Sequence, residues 1–221
     1  MTKVRPVSGG GRAVEVAPER LAGWFTRFAA RHDGIATTRT TPSHVLVAAR
    51  DGATAEVAAA FDEFAPAGEA EGLDLGPLLA NATRPRRLGL LLVRLGGHSL
   101  GVAQDGRVLV STTGSRQVHG RNKAGGWSQQ RFARRREGQA RVALQAAADD
   151  AARVLLPRLA ELDAVVLGGD RQALDALRAD RRLEPIFARA SRRVLDVPEP
   201  RRAVLDEAAD RARAVEVVVR D

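Results

Sequence analysis

Residues 114–139 read GSRQVHGRNKAGGWSQQRFARRREGQ. No other stretch of the chain gathers so many groups suited to chemistry on a polyanion. Between Gly114 and Arg141 stand eight basic residues (Arg116, Arg121, Lys123, Arg131, Arg134, Arg135, Arg136, Arg141) against one acid, Glu137. A local field of that size draws polyphosphate. The charge runs from a loop into a helix, which favours a nucleic-acid contact over a merely solvated helix face. Gly114, Gly120, Gly125 and Gly126 let the backbone bend sharply and come close to a partner. The helix start adds free N–H groups aimed at phosphate oxygens. Arg131, Arg134 and Arg135 fall at i, i+3 and i+4, on one helix face, and guanidinium suits bidentate phosphate contact. Trp127 has two readings: a ring stacked on a base, or an anchor folded back on the loop.

The residue types also limit the chemistry. From Gly114 to Trp127 there is no Asp or Glu, so paired-carboxylate acid–base catalysis is not available there. Ser115 and Ser128 have His119 near them in sequence but no orienting acid, which makes a serine nucleophile a weak reading. His119 is better read as a loop residue or RNA contact. An RNA nuclease would need acids or a histidine pair that the loop lacks. What remains is an amide, Gln117, with Gln129 and Gln130 behind it. Glutamine is no base at neutral pH, but it can orient a water and donate to a developing oxyanion. That suits an activated ester whose other catalytic groups come from the partner. The chain has no cysteine, which excludes disulfides, thiolate zinc sites and cysteine nucleophiles. Its four histidines, His32, His44, His98 and His119, show no ligand spacing. No metal and no cofactor are expected.

Those residues need a scaffold. With 221 residues, 44% of them hydrophobic, the chain can bury a real core. Charge divides it. Residues 1–80 hold 8 Lys/Arg against 10 Asp/Glu, and residues 81–221 hold 27 against 17. The first part, 1–80, reads as a small α/β unit. Pro18–Arg31 has helical spacing, with Leu21, Trp24, Phe25 and Phe28 on one face, and His44–Ala49 alternates as a strand before an Asp51-Gly52 turn. Residues 62–86 are rich in Pro, Gly and acids, and read as a connection with one helical turn. The second part, 85–221, is expected to be a mixed β-sheet flanked by helices. Leu88–Leu95 is an apolar strand covered on both faces. His98–Ala103 and Arg107–Thr112 flank an Asp105-Gly106 hairpin turn. A long helix follows, with Ser128 as its N-cap, and Pro157 should end or kink it. Then come a strand at 163–167, a Gly168-Gly169 turn, a helix at 170–178, a strand at 194–197, a helix at 201–213 and a last strand at 215–219. The polar N-terminus has no apolar core segment, and the run Leu88–Val93 is far too short to span a bilayer. A cytoplasmic protein with no membrane partner is expected.

The segment GRNKAGGWSQQRFARRRE resembles the catalytic-loop segment of the archaeal and eukaryotic class 1 peptide-chain release factors. His119-Gly120-Arg121, Gly125-Gly126, Ser128 and Arg131-Phe132-Ala133-Arg134 match that pattern. Trp127 stands where those factors carry their catalytic glutamine. The chain is similar, more closely, to the actinobacterial Vms-like release factors, which carry the glutamine earlier, in a Gly-x-x-Gln pattern. Gly114-Ser115-Arg116-Gln117 fits it. The resemblance spans about residues 107–139 and extends over 88–221, and it implies a domain of the release-factor central type. It also implies a peptidyl-tRNA hydrolase acting on stalled ribosomes or large subunits as a monomer, with Gln117 positioning water beside Gly114 and Ser115. Arg116, His119, Arg121, Lys123, Trp127, Arg131, Arg134 and Arg135 would meet 23S rRNA or the tRNA, and Gly120, Gly125 and Gly126 would let the loop hinge. No DNA contact is implied. The acidic first part offers no basic codon-reading surface, which favours rescue over stop-codon termination. The rival is a non-catalytic ribosome- or RNA-binding module of the Pelota type, which Trp127 favours.

Binding to ribosomes or tRNA should therefore weaken steeply with salt, because phosphate contacts release counterions. Changing Arg131, Arg134 and Arg135 together to Ala should flatten the slope of log K against log salt by about 2–3, one phosphate contact for each arginine. Arginine stems also cover apolar surface, so circular dichroism must show the variant folded. An unchanged slope would mean the face is only solvated.

Overall fold

The computed structural model describes residues 4–115 and 127–221, with side chains at 4–114 and 138–221. The chain forms two compact units, Met1–Pro85 with Arg213–Asp221, and Arg86–Ala212. In chain order the first contains β1 (Val4–Pro6), β2 (Arg12–Val16), α1 (Leu21–Arg31), β3 (Ile35–Thr40), β4 (His44–Ala49), β5 (Thr54–Ala58), β6 (Gly68–Glu71) and α2 (Gly76–Ala82). The second contains β7 (Arg87–Arg94), β8 (Gly97–Gln104), β9 (Arg107–Ser115), α3 (Trp127–Val154), β10 (Ala164–Gly169), α4 (Arg171–Arg178), α5 (Glu184–Ala188), β11 (Ala190–Leu195) and α6 (Arg202–Arg213). The chain then returns to the first unit as β12 (Val215–Arg220). The fold class is mixed α/β, as the alternation of patterns predicts.

The first unit is a seven-stranded sheet in the order β1-β2-β12-β5-β4-β3-β6, antiparallel at every pairing. Leu21, Phe25 and Phe28 of α1 and Leu78 of α2 share one core with Val14, Val45, Val47, Val57 and Val217. Trp24 is partly buried against that core and stacks on Phe28 at 5.7 Å. Much of this sheet was not legible in the sequence. β3 (IATTRT) and β5 (TAEVA) are short and rich in Thr and Ala, so their alternation is faint. The expected connection at 62–86 contains β6 and α2. β6 reads GEAE and carries no apolar period; main-chain pairing with β3 makes it a strand. The last strand also departs from expectation. Sequence order groups it with the second part, yet Val217 lies opposite both Val14 of β2 and Val57 of β5.

The second unit is a mixed sheet in the order β11-β10-β7-β8-β9. β10 is parallel to β7 and β11, while β7–β8 and β8–β9 are antiparallel. β7 is buried on both faces, as its apolar run requires. On one face Leu91, Val93, Leu100, Val102 and Val165 pack with Ala147, Ala151 and Val154 of α3. Across the other face α6 reaches both sheet edges: Arg202 donates to Ser111 of β9, and Arg193 of β11 donates to the Arg211 carbonyl. The hairpin turn is as expected, with Asp105 and Gly106 both at positive φ. Helix α3 stops at Val154, and Pro157 sits in the following 3-10 turn, Leu156–Glu161. Gly168 and Gly169 end β10 rather than forming a separate turn. Asp170 then caps α4 by accepting from the Gln172 amide. Among the described residues no helix is long and apolar enough to cross a membrane.

Because β12 is the strand that joins β2 to β5, deleting residues 214–221 should open the first sheet at its middle. Hydrogen exchange should then show protection lost in β4 and β5 and kept in β7 and β8. Loss confined to the second unit would contradict the pairing.

Candidate functional site

The site is built where β9 ends. Gly114 and Ser115 are its last residues, paired with His98 and Gly97 of β8. The described part of helix α3 starts at Trp127, so Trp127 and Ser128 are both helical residues; the expected N-cap role of the Ser128 side chain lies outside the described residues. Gln129, Gln130, Arg131, Arg134 and Arg135 are all within α3, so the i, i+3, i+4 spacing of the arginines is a helical one. Gln117, Arg116, His119, Gly120, Arg121, Lys123, Gly125 and Gly126 lie outside the described residues.

Under the end of β9 is a polar group that the sequence reading passed over. His98 lies on β8 and faces α3, with only 2% of its surface exposed. Its Nε2 is 2.8 Å from Oδ2 of Asp150 on α3. The other Asp150 oxygen accepts from Arg153 at 2.6 Å, and Arg153 reaches the Thr112 hydroxyl of β9 at 3.4 Å. Burial opposes ionisation of Asp150, but the hydrogen bonds from Arg153 and His98 outweigh it and hold the carboxyl below the usual range. A carboxylate only accepts, so Nε2 carries the proton and donates. The imidazole fills the space beside Gly114. A Cβ added there would lie 2.9 Å from His98 Nε2 and closer still to Cε1. The first glycine of the Gly-x-x-Gln pattern is thus required by packing. On the opposite sheet face, the Ser99 and Thr113 hydroxyls share a 2.7 Å hydrogen bond between β8 and β9.

A family model described as "Actinobacteria/chloroflexi VLRF1 release factor" matches residues 86–218. The chain belongs to that release-factor family. Membership implies interaction with the ribosome and a place in translation. It runs from β7 into β12 and includes every candidate residue from Gly114 to Arg135. A crystal structure of an archaeal translation termination factor, aRF1, is similar at 11% identity and a TM-score of 0.41, over 89% of this chain and 70% of its own. A structure of an archaeal protein is similar at 12% identity and a TM-score of 0.38, over 73% of this chain and 48% of its own. Comparison with curated proteins gives no match.

The geometry brings Gly114 together with His98, Asp150, Arg153 and Thr112. Sequence reasoning noted His98 only as one of four histidines without ligand spacing. The signal it could have used was a histidine among apolar α3-facing positions, but its partner lies 52 residues away. At Gly114 the φ is an ordinary one, so the cost of a side chain there is steric. Gly114→Ala should destabilise the protein by about 1–3 kcal/mol, typical of overpacking, read as a lower denaturation midpoint with unchanged m. The same change in a His98→Ala background should cost much less.

Proposed function

We propose that the chain is a peptidyl-tRNA hydrolase that rescues stalled ribosomes or split large subunits, with Gln117 as its catalytic amide. The observation that carries this reading is the placement of the pattern Gly114-Ser115-Arg116-Gln117. Its first two residues end an edge strand in a chain of release-factor family. Gln117 follows two residues after that strand. In the reaction, water attacks the ester carbonyl carbon, the bond to the tRNA ribose oxygen breaks, and that oxygen leaves as the tRNA hydroxyl. The Gln117 carbonyl accepts from the attacking water and its N–H donates to the developing oxyanion. Neither role needs a change of charge. The water-excluded RNA site of the large subunit strengthens both. The basic residues hold the chain there: Arg116, Arg121 and Lys123 in the loop, Arg131, Arg134 and Arg135 on α3, each facing 23S rRNA or the tRNA acceptor stem. The acidic first unit offers no codon-reading surface, which supports rescue over termination.

Gln117→Ala should slow peptide release from stalled large subunits by about 100- to 1,000-fold, the usual loss for one oxyanion donor, with ribosome affinity nearly unchanged. Trp127→Ala should leave part of the release. Wild-type rates from Gln117→Ala would sink the glutamine mechanism. If the unaltered chain releases nothing from any stalled complex while still binding it, the non-catalytic binding reading takes its place.

A further inference from the structure

Six α3-facing positions on the central strands of the second unit, Leu91, Val93, Leu100, Val102, Val165 and Leu167, are buried and apolar. His98 is the polar exception, and it pairs across the strands with Val93. Its partner Asp150 sits at the edge of that packing, one quarter exposed, beside the buried Ala147, Ala151 and Val154 of α3. An apolar pair of similar shape would fill the space of the imidazole without burying a polar ring, and such replacements are often nearly neutral or stabilising. Stability alone therefore does not account for the pair. What a hydrogen-bonded pair adds is direction: it fixes distance and angle between the elements that carry it. Here those elements flank residues 116–126. The imidazole lies against Gly114 at the end of β9, and the carboxylate belongs to α3. Arg153 ties the same carboxylate to Thr112, two residues before Gly114 on β9.

We propose that His98 and Asp150 are positioning residues for the release reaction, a latch that fixes β9 and α3, the two elements flanking residues 116–126, against each other. The proposal rests on the hydrolase reading above. Neither residue touches substrate; both act through Gly114, the second-last residue of β9. A small misplacement of the loop base carries forward to Gln117, three residues on, and displacement of about 1 Å at a catalytic group can lower a rate about 100-fold.

The test is the full-length double variant His98→Leu/Asp150→Leu, with His98→Gln beside it. The double variant should keep its thermal midpoint and its half-saturating concentration on stalled large subunits. Its saturating rate of peptide release should fall about 10- to 100-fold. His98→Gln keeps an N–H for Asp150 and should recover much of that rate. A double variant that releases at the wild-type rate overturns the proposal, and so does one whose rate falls only with its folded fraction. A second measurement keeps the latch separate from the hydrolase reading. In the free protein, amide exchange from Thr112 to Ser115 should be at least about tenfold faster in the double variant than in the parent, with β7 unchanged. Unchanged exchange at the end of β9 overturns the latch even if release is impaired. If the unaltered protein releases nothing, the hydrolase reading falls, and with it the positioning role in release proposed for His98 and Asp150. Faster exchange would then support only the mechanical part.

Discussion

Between the edge strand β9 and the long helix α3 lies one imidazole, that of His98, bonded to Asp150 and pressed against a glycine. Around it the elements that frame the candidate site are held. β8 supplies the ring, β9 supplies the space, and α3 supplies the carboxylate. Asp150 stays ionised because Arg153 and His98 donate to it. Arg153 in turn reaches back to β9. Three elements are therefore tied by directional contacts as well as by apolar packing. Packing alone tolerates sliding by a fraction of an ångström; a hydrogen-bonded ring between a strand end and a helix does not.

A loop that holds cations and amides but no carboxylate can do little chemistry by itself. It suits a partner that supplies a desolvated, polyanionic site and an electrophile already activated as an ester. Family membership points to the ribosome as that partner. The division of labour then follows from residue types. In the proposed reaction arginine and lysine hold the chain on RNA, an amide acts on water, and the scaffold sets the angle of approach.

The first unit shows how little chain order constrains topology. Its sheet runs β1-β2-β12-β5-β4-β3-β6, so the last strand of the chain lies between the second and the fifth. The whole second unit is inserted between α2 and β12. Continuity of this core depends on Val217 and Val219, both fully or almost fully buried, at the far end of the sequence from Val14. Helix α1, which packs on it, was simpler to place, since Leu21, Phe25 and Phe28 announce their shared face by spacing alone.

The sequence by itself determined what local periodicity and residue chemistry can encode. It marked β7 through its unbroken apolar run, and the β8–β9 hairpin through Asp105-Gly106. It marked the long helix with its stop near Pro157, and the basic stretch with its single acid, Glu137, whose motif pointed to release factors. These signals lie within one or two turns of helix or one strand. Only the tertiary structure decided that β12 closes the first sheet, that GEAE at 68–71 is a strand, and that Gly114 is a glycine because His98 fills its side-chain space. Strand pairing uses main-chain groups that every residue carries, so its register leaves no mark in composition. The His98–Asp150 contact joins residues from two elements whose separation along the chain is set by the loop between them. No periodicity links them, and only folding brings the imidazole, the carboxylate and the end of β9 to one point.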